Sequence, residues 1–295
     1  MLQITNARLF RDLSAQAEEL GRRASEKKFP VLLRPLAEKR RITSVAFQPL
    51  LVDAMLTTHP EGFRLLLNSD GGDPGELQCI YSSESSTRLL PSRLRFSIAH
   101  ELAHTLFYDL SEATPKVSKR LRAGGNKNQL ENLEKNCNRL AAGMLLPAVF
   151  VRAELRDAKV FSAEFLISLA ERAGVSIEVL VRRLIDRDQL LVDPFLPVCI
   201  VLLHAVDAGF RVRAVAISPG FRPAQSLLKL KSGLVWQLND AEGERIQVGR
   251  ETSREVALRA DSSQRSKLLK YRFTQCPAGR GAGSFLMTFE EIMPR

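Results

Sequence analysis

Histidine is scarce in this chain, with four in 295 residues, and so is cysteine, also with four. Cys79, Cys137, Cys199 and Cys276 contain no CxxC pair. That spacing excludes a zinc ribbon and argues against a disulfide framework, so free buried thiols are expected. No run reaches the roughly 18 apolar residues of a membrane span. The opening MLQITNARLFRDL is charged from Arg8 and lacks the apolar core of a secretory signal. A cytoplasmic protein with no membrane partner is the expectation. Internal repeats and low-complexity tracts are absent from the sequence.

What is present is ordinary for a globular chain: 45% hydrophobic and 26% charged residues. The length exceeds what one core usually fills, so two or three domains are expected. The net charge of +10 invites a polyanionic partner such as DNA. However, the charge is spread over Arg22–Lys28, Lys39–Arg41, Lys116–Arg122 and Lys229–Lys231 without aromatic interleaving. A solvated basic surface accounts for that pattern, and DNA binding is not favoured on charge alone.

Residues 5–40 show helical periodicity through Leu9, Phe10, Leu13, Ala17 and Leu20, interrupted by Pro30 and Pro35. VDAMLTTHPEGFRLLLN predicts a hairpin turning at 59–62, and ELQCIYS at 76–82 a further strand. A helix is expected over 92–110, a loop over 111–127, and a second helix from about Asn128 to Leu146, stopped by Pro147. Shorter helices follow to about residue 190. VCIVLLHAV, FRVRAVAIS, GLVWQL, KYRFTQ and SFLMTF then read as strands of a separate C-terminal α+β domain beginning near DPFLP, 193–197.

The chemistry is concentrated in RFSIAHELAHTLFYD, where two of the four histidines fall in an HExxH pattern. His100 and His104 lie about 40° apart on one helical face. Two imidazoles so placed can hold one metal, with Glu101 as the general base acting on a water there. A long metzincin motif would need Gly and His where the chain has Phe107 and Leu110. Beyond Glu112 the next carboxylates are Glu131 and Glu134, both on the second predicted helix. Glu134 projects about 70° from the centre of its apolar stripe and Glu131 about 130°. Glu131 therefore points to water, and Glu134 is either a third ligand or a carboxylate at the edge of the packed face. Asn138, one turn later, is either a group that orients a ligand or a polar boundary residue.

The two helices together resemble the ImmA/IrrE family of metallopeptidases, whose pattern is RxRFxxAHExxH followed by ExxANxxAAxLLMP. Here Arg93, Arg95, Phe96, Ala99, His100, Glu101 and His104 match the first helix. Glu134, Asn138, Ala141, Ala142, Leu145 and Pro147 match the second. Ala103 stands where the family usually has Gly, and Cys137 where it usually has Ala. The resemblance is strongest over 30–150 and continues at 175–184 as VSxxxLxxRL. It implies metal ligands His100, His104 and Glu134, with Glu101 catalytic. Zn2+ suits two imidazoles, a carboxylate and an open position, and Mn2+ is an alternative working metal. The resemblance also implies a helix-turn-helix transcriptional repressor as substrate, cleaved to release stress or DNA-damage genes.

The expected architecture is α+β in three regions. A zincin-like metallopeptidase domain with its HExxH helix spans 1–150, a helix-turn-helix-like segment 151–193, and a domain resembling the GAF-like domain of longer family members 194–295. Such a domain would sense a small-molecule ligand. In FLISLAERAGVSIEVLVRRLI, Ala170, Gly174 and Leu180 have helix-turn-helix spacing, and Arg182, Arg183 and Arg187 are the candidate phosphate contacts. A packed corner with a basic face is the favoured account of that segment. Tyr108 is either an oxyanion donor or a packing residue, with packing favoured. His59 reads as an exposed turn residue, and Cys199 and His204 as core. The strand GFRLLLN is expected to hold an extended substrate by edge addition. The competing functions are a DNA-binding regulator that keeps the zincin fold without turnover, and a protein that sequesters a repressor stoichiometrically.

Overall fold

The computed structural model describes residues 7–25, 28–69, 72–83, 88–111, 114–117, 127–157, 162–185, 198–206, 209–218, 235–236, 252–259, 268–277 and 284–291. They form two compact units, one of Met1–Ala153 with Glu171–Ser176 and one of Glu154–Ala170 with Ile177–Arg295. The DPFLP segment and Arg187 lie outside the described residues.

The first unit begins with helices α1 (Ala7–Arg23) and α2 (Leu33–Lys39). The chain breaks between them around Pro30, as expected. Pro35 does not break α2, because it sits in the first helical turn, where its missing N–H has no partner to lose. Three strands follow: β1 (Ile42–Gln48), β2 (Ala54–His59) and β3 (Gly62–Asn68). The hairpin of β2 and β3 is antiparallel, with His59 opposite Gly62. β1 pairs parallel to the other side of β3, giving the order β1-β3-β2. GFRLLLN is thus the central strand. Its backbone is paired on both sides, and among the described residues β2 is the outer strand of the hairpin, which corrects the expected substrate strand. Phe63, Leu65 and Leu67 carry the buried face of β3.

Gly62 is obligatory at the hairpin turn. A Cβ there would stand 2.0 Å from the Arg41 carbonyl, which accepts from the Phe63 amide at 2.8 Å. ELQCIYS is helix α3 (Pro74–Ser82), not strand. Asp73 caps it through the amides of Gly75 and Glu76, and Pro74 occupies the first helical position. That start signal outweighs the short apolar run.

Helix α4 (Ser92–Thr105) packs on β3 and β2, and α5 (Lys127–Leu145) packs on both α4 and α1. Four alanines, Ala99 and Ala103 on α4 and Ala141 and Ala142 on α5, are buried and bring in little side-chain bulk. α4 stops short of the expected residue 110. The buried Arg40 guanidinium binds the Thr105 hydroxyl at 2.9 Å and the Thr105 carbonyl at 2.7 Å. Tyr108–Asp109 then form the short strand β4, antiparallel to β5 (Lys116–Val117). Burial lowers the Arg40 guanidinium to about 10.

Helices α6 (Ala148–Asp157), α7 (Ala163–Ala173) and α8 (Ile177–Ile185) complete the helical part. Gly174, between α7 and α8, has φ +65. In the second unit six strands form one antiparallel sheet in the order β8-β7-β6-β11-β10-β9. They are β6 (Val198–Val206), β7 (Gly209–Ile217), β8 (Val235–Trp236), β9 (Thr252–Arg259), β10 (Leu268–Pro277) and β11 (Ser284–Glu291). β9, whose sequence TSREVALR is largely polar, is the strand that hydropathy does not announce. α8 packs on β7 and β6, and Cys199 to Leu203 of β6 are all buried.

Arg95 of α4 is completely buried, and its guanidinium donates to the Gly174 carbonyl at 3.1 Å and the Val31 carbonyl at 2.6 Å. It ties the HExxH helix to two distant chain segments. Arg95→Met should lower stability by about 3 kcal/mol, since bonds from a buried charged donor are lost. Thermal or urea unfolding checks this, and a loss within measurement error would mean that Arg95 only fills space.

Candidate metal centre

α4 and α5 together build the site. On α4, one helical turn separates His100 and His104, and their rings stand 4.9 Å apart edge to face. His100, Glu101 and His104 offer ligand atoms within 4.8 Å of one another. α5 supplies Glu134, whose oxygens lie 3.0 Å from His100 Nε2 and 3.5 Å from His104 Nε2. The two Nε2 atoms are 3.1 Å apart. An ion with 2.0–2.1 Å bonds in tetrahedral geometry would space its ligands about 3.3 Å apart. The two Nε2 atoms and the Glu134 carboxylate therefore already lie near the spacing that one small divalent ion requires.

The remaining ring nitrogens point the other way, toward α5. His100 Nδ1 lies 2.9 Å from Asn138 Oδ1, which can only accept. A ring proton on Nδ1 satisfies that oxygen and leaves the Nε2 lone pair free for a metal. Cys137 Sγ lies 3.5 Å from His104 Nδ1. Asn138 thus contacts one candidate ligand. Cys137, which stands where the resembling family usually has Ala, contacts the other.

The electrostatics fit a site that holds neutral imidazole and a poised carboxylate. Burial lowers the His104 pKa first and nearby His100 lowers it further, against the opposing pull of Glu134. Burial raises Glu101, and Glu134 adds to this. His100 and a hydrogen bond from the Leu56 amide work against it. Burial also pushes the Cys137 thiol upward, so it stays protonated.

Leu56 belongs to the edge strand β2, so Glu101 sits between the HExxH helix and that edge. Tyr108 packs its ring edge-on to Phe63 at 5.1 Å. It lies in β4 beyond the end of α4, not one turn on along the same helix. His59 is in the hairpin turn, where its Nδ1 accepts from the Glu61 amide at 3.4 Å. Glu131 lies on α5, and nothing is described of its side chain.

Two of the three candidate phosphate contacts, Arg182 and Arg183, lie among the described residues. Arg182 is paired with Glu178 at 2.8 Å. Arg183 is 2% exposed, and that burial removes it from any docked phosphate. Among the described residues Cys79, Cys137 and Cys199 are free thiols.

Residues 85–185 match the IrrE N-terminal-like domain, a peptidase family. The match spans α4, α5 and the helices through α8, so it takes in the helix-turn-helix-like segment as well as the candidate ligands. No curated protein matches the chain. Among solved structures, a Mycobacterium tuberculosis protein described as a transcriptional regulator is similar, with a TM-score of 0.50 and 17% identity. The alignment covers 95% of this chain and 76% of that one. At that identity the likeness is one of fold. No helix among the described residues is long and apolar enough to cross a membrane.

The raised Glu101 carboxyl has a signed consequence for the metal-free protein. Its contribution to stability is fully present below the ordinary carboxylate range and is lost as pH rises through the folded-state value. Glu101→Gln removes that loss and keeps an acceptor for the Leu56 amide. The metal-free variant should melt above wild type at pH 7, and the gap should close below about pH 4. Melting curves in excess chelator read this directly. A gap independent of pH would contradict the burial argument.

Proposed function

We propose that the IrrE N-terminal-like domain carried by this chain is a working metalloendopeptidase with His100, His104 and Glu134 as ligands and Glu101 as general base. The observation that carries the proposal is the convergence of two Nε2 atoms and a carboxylate at 3.0–3.5 Å, the spacing of a tetrahedral ion's ligands. Zn2+ suits this donor set, and Mn2+ is the alternative working metal. When bound, the ion would supply a Lewis acid that polarises the scissile carbonyl and makes a water acidic near neutral pH.

The chain's own residues do the rest. Glu101, with its raised pKa, takes the proton of the attacking water and passes it to the leaving amine. Asn138 holds the ring of His100. The substrate would lie extended along β2, the edge strand whose Leu56 amide already reaches Glu101. Exposed Leu51, Val52 and Met55 border that edge and offer apolar contacts.

We assign the substrate class as a helix-turn-helix transcriptional repressor, cleaved to derepress stress or DNA-damage genes. The family resemblance supports this reading. The six-stranded antiparallel sheet of 198–291 is read as a GAF-like sensor for a small molecule. The DNA-binding alternative is less well supported, since Arg183 is buried and Arg182 is engaged by Glu178. Stoichiometric sequestration of a repressor would leave Glu101 without a task.

Incubation with candidate repressors, with and without added Zn2+ or Mn2+, tests the reading. Glu101→Gln should keep its metal while cleavage falls about 10²- to 10⁴-fold. His104→Ala and Glu134→Ala should lose metal, whereas Glu131→Ala should not. If Glu134→Ala kept its metal and Glu131→Ala lost it, the ligand assignment would be wrong.

A further inference from the structure

Cys137 is the one residue of the two-helix motif that both departs from the family pattern and touches a candidate ligand. Where the resemblance expects Ala, this chain places a thiol that is completely buried, 3.5 Å from His104 Nδ1. Its neighbour on α5, Asn138, does the same for His100 at 2.9 Å. Each imidazole thus presents Nε2 to Glu134 and Nδ1 to one of two consecutive α5 residues. The sulfur lies on the Nδ1 side of the His104 ring, away from the atoms that converge with Glu134. It is badly placed to be a ligand and well placed to hold the ring.

We propose that Cys137 is the positioning residue of His104, its sulfur accepting the Nδ1–H and so keeping the Nε2 lone pair on the metal side. The inference rests on the reading of His104 as a ligand through Nε2. A ring nitrogen carries either a proton or a lone pair that can bind a metal, and its partner on the other nitrogen decides which. Asn138 fixes this for His100 with an oxygen that can only accept. A thiol can donate or accept, and is weak in both senses. With Nε2 given to a metal, His104 carries its proton on Nδ1, and acceptance is then the sulfur's available role. The arrangement gives both ligands an orienting partner from the helix that carries Glu134, so the packing of α5 on α4 sets ligand position and ligand tautomer together. Loss of such a partner typically lowers metal affinity about 10- to 100-fold.

The test uses the full-length protein and Cys137→Val, Cys137→Ser and Cys137→Ala. Valine fills the space without an acceptor, serine restores an acceptor, and alanine removes both. Two readouts are taken: the zinc dissociation constant by chelator competition, and the His104 Nδ1–H signal of the zinc-loaded protein in imidazole 1H–15N spectra. Wild type should show a slowly exchanging, hydrogen-bonded Nδ1–H. Valine and alanine should shift that signal, speed its exchange and weaken zinc binding by about tenfold, with serine recovering part of each.

Wild-type affinity and an unchanged Nδ1–H signal in Cys137→Val or Cys137→Ala would overturn the proposal and leave Cys137 as packing. If valine fails to fold, the alanine and serine variants decide. His104→Ala separates the two claims. If it loses zinc while Cys137→Val does not, the ligand reading stands and this proposal fails. If His104→Ala keeps zinc, the ligand reading itself fails.

Discussion

The seating of α5 across α4 is the constraint from which the site follows. The HExxH helix alone offers two imidazoles and a general base but no third ligand. Glu134 becomes a ligand candidate only because α5 lies close enough to bring its carboxylate 3.0 Å from His100 and 3.5 Å from His104. Small buried residues at Ala99, Ala103, Ala141 and Ala142 suit that approach. On its other side α5 is backed by α1, where Gly21 fits against the Met144 carbonyl. A Cβ at Gly21 would stand 2.1 Å from that oxygen. Glu18 of α1 also accepts from the Ala148 amide at 2.5 Å, which fixes the end of the α5 layer. The N-terminal helix thus backs the helix that carries Glu134, and none of its residues is a candidate ligand.

α4 is anchored by buried arginines at two points. Arg95 binds the Val31 and Gly174 carbonyls, and Arg40 holds the C-terminal end of the helix at Thr105, the residue after His104. Buried guanidinium groups carry a desolvation cost, which their carbonyl and hydroxyl acceptors offset. In return they hold the helix at fixed points on either side of the histidine pair. Rigid placement of this kind keeps candidate ligands within a few tenths of an ångström of useful geometry.

Helical periodicity fixes which residues share a face, so the sequence alone could nominate His100, Glu101 and His104 on one helix and prefer Glu134 to Glu131 on the next. The structure brings His100, Glu101, His104 and Glu134 together. The role of Cys137 was not legible, since a buried thiol in an apolar stripe looks like any other small core residue. Strand order was hidden for a related reason. ITSVAFQ carries no turn signal to mark it as the partner of GFRLLLN, and pairing between distant segments leaves no local trace. At 74–82 the helix start signal of Asp73 and Pro74 outweighs a short apolar run that reads as strand. The burial of Arg183 also escaped, because a basic residue on an amphipathic helix is expected to face water.

X-ray absorption spectroscopy of the zinc-loaded, full-length protein tests the central claim most directly. Two imidazole nitrogens and a carboxylate oxygen predict a first shell of nitrogen and oxygen only, at about 2.0–2.1 Å, with outer-shell scattering from two rings. A sulfur scatterer at about 2.3 Å, or scattering from fewer than two imidazoles, would contradict the assignment of His100, His104 and Glu134.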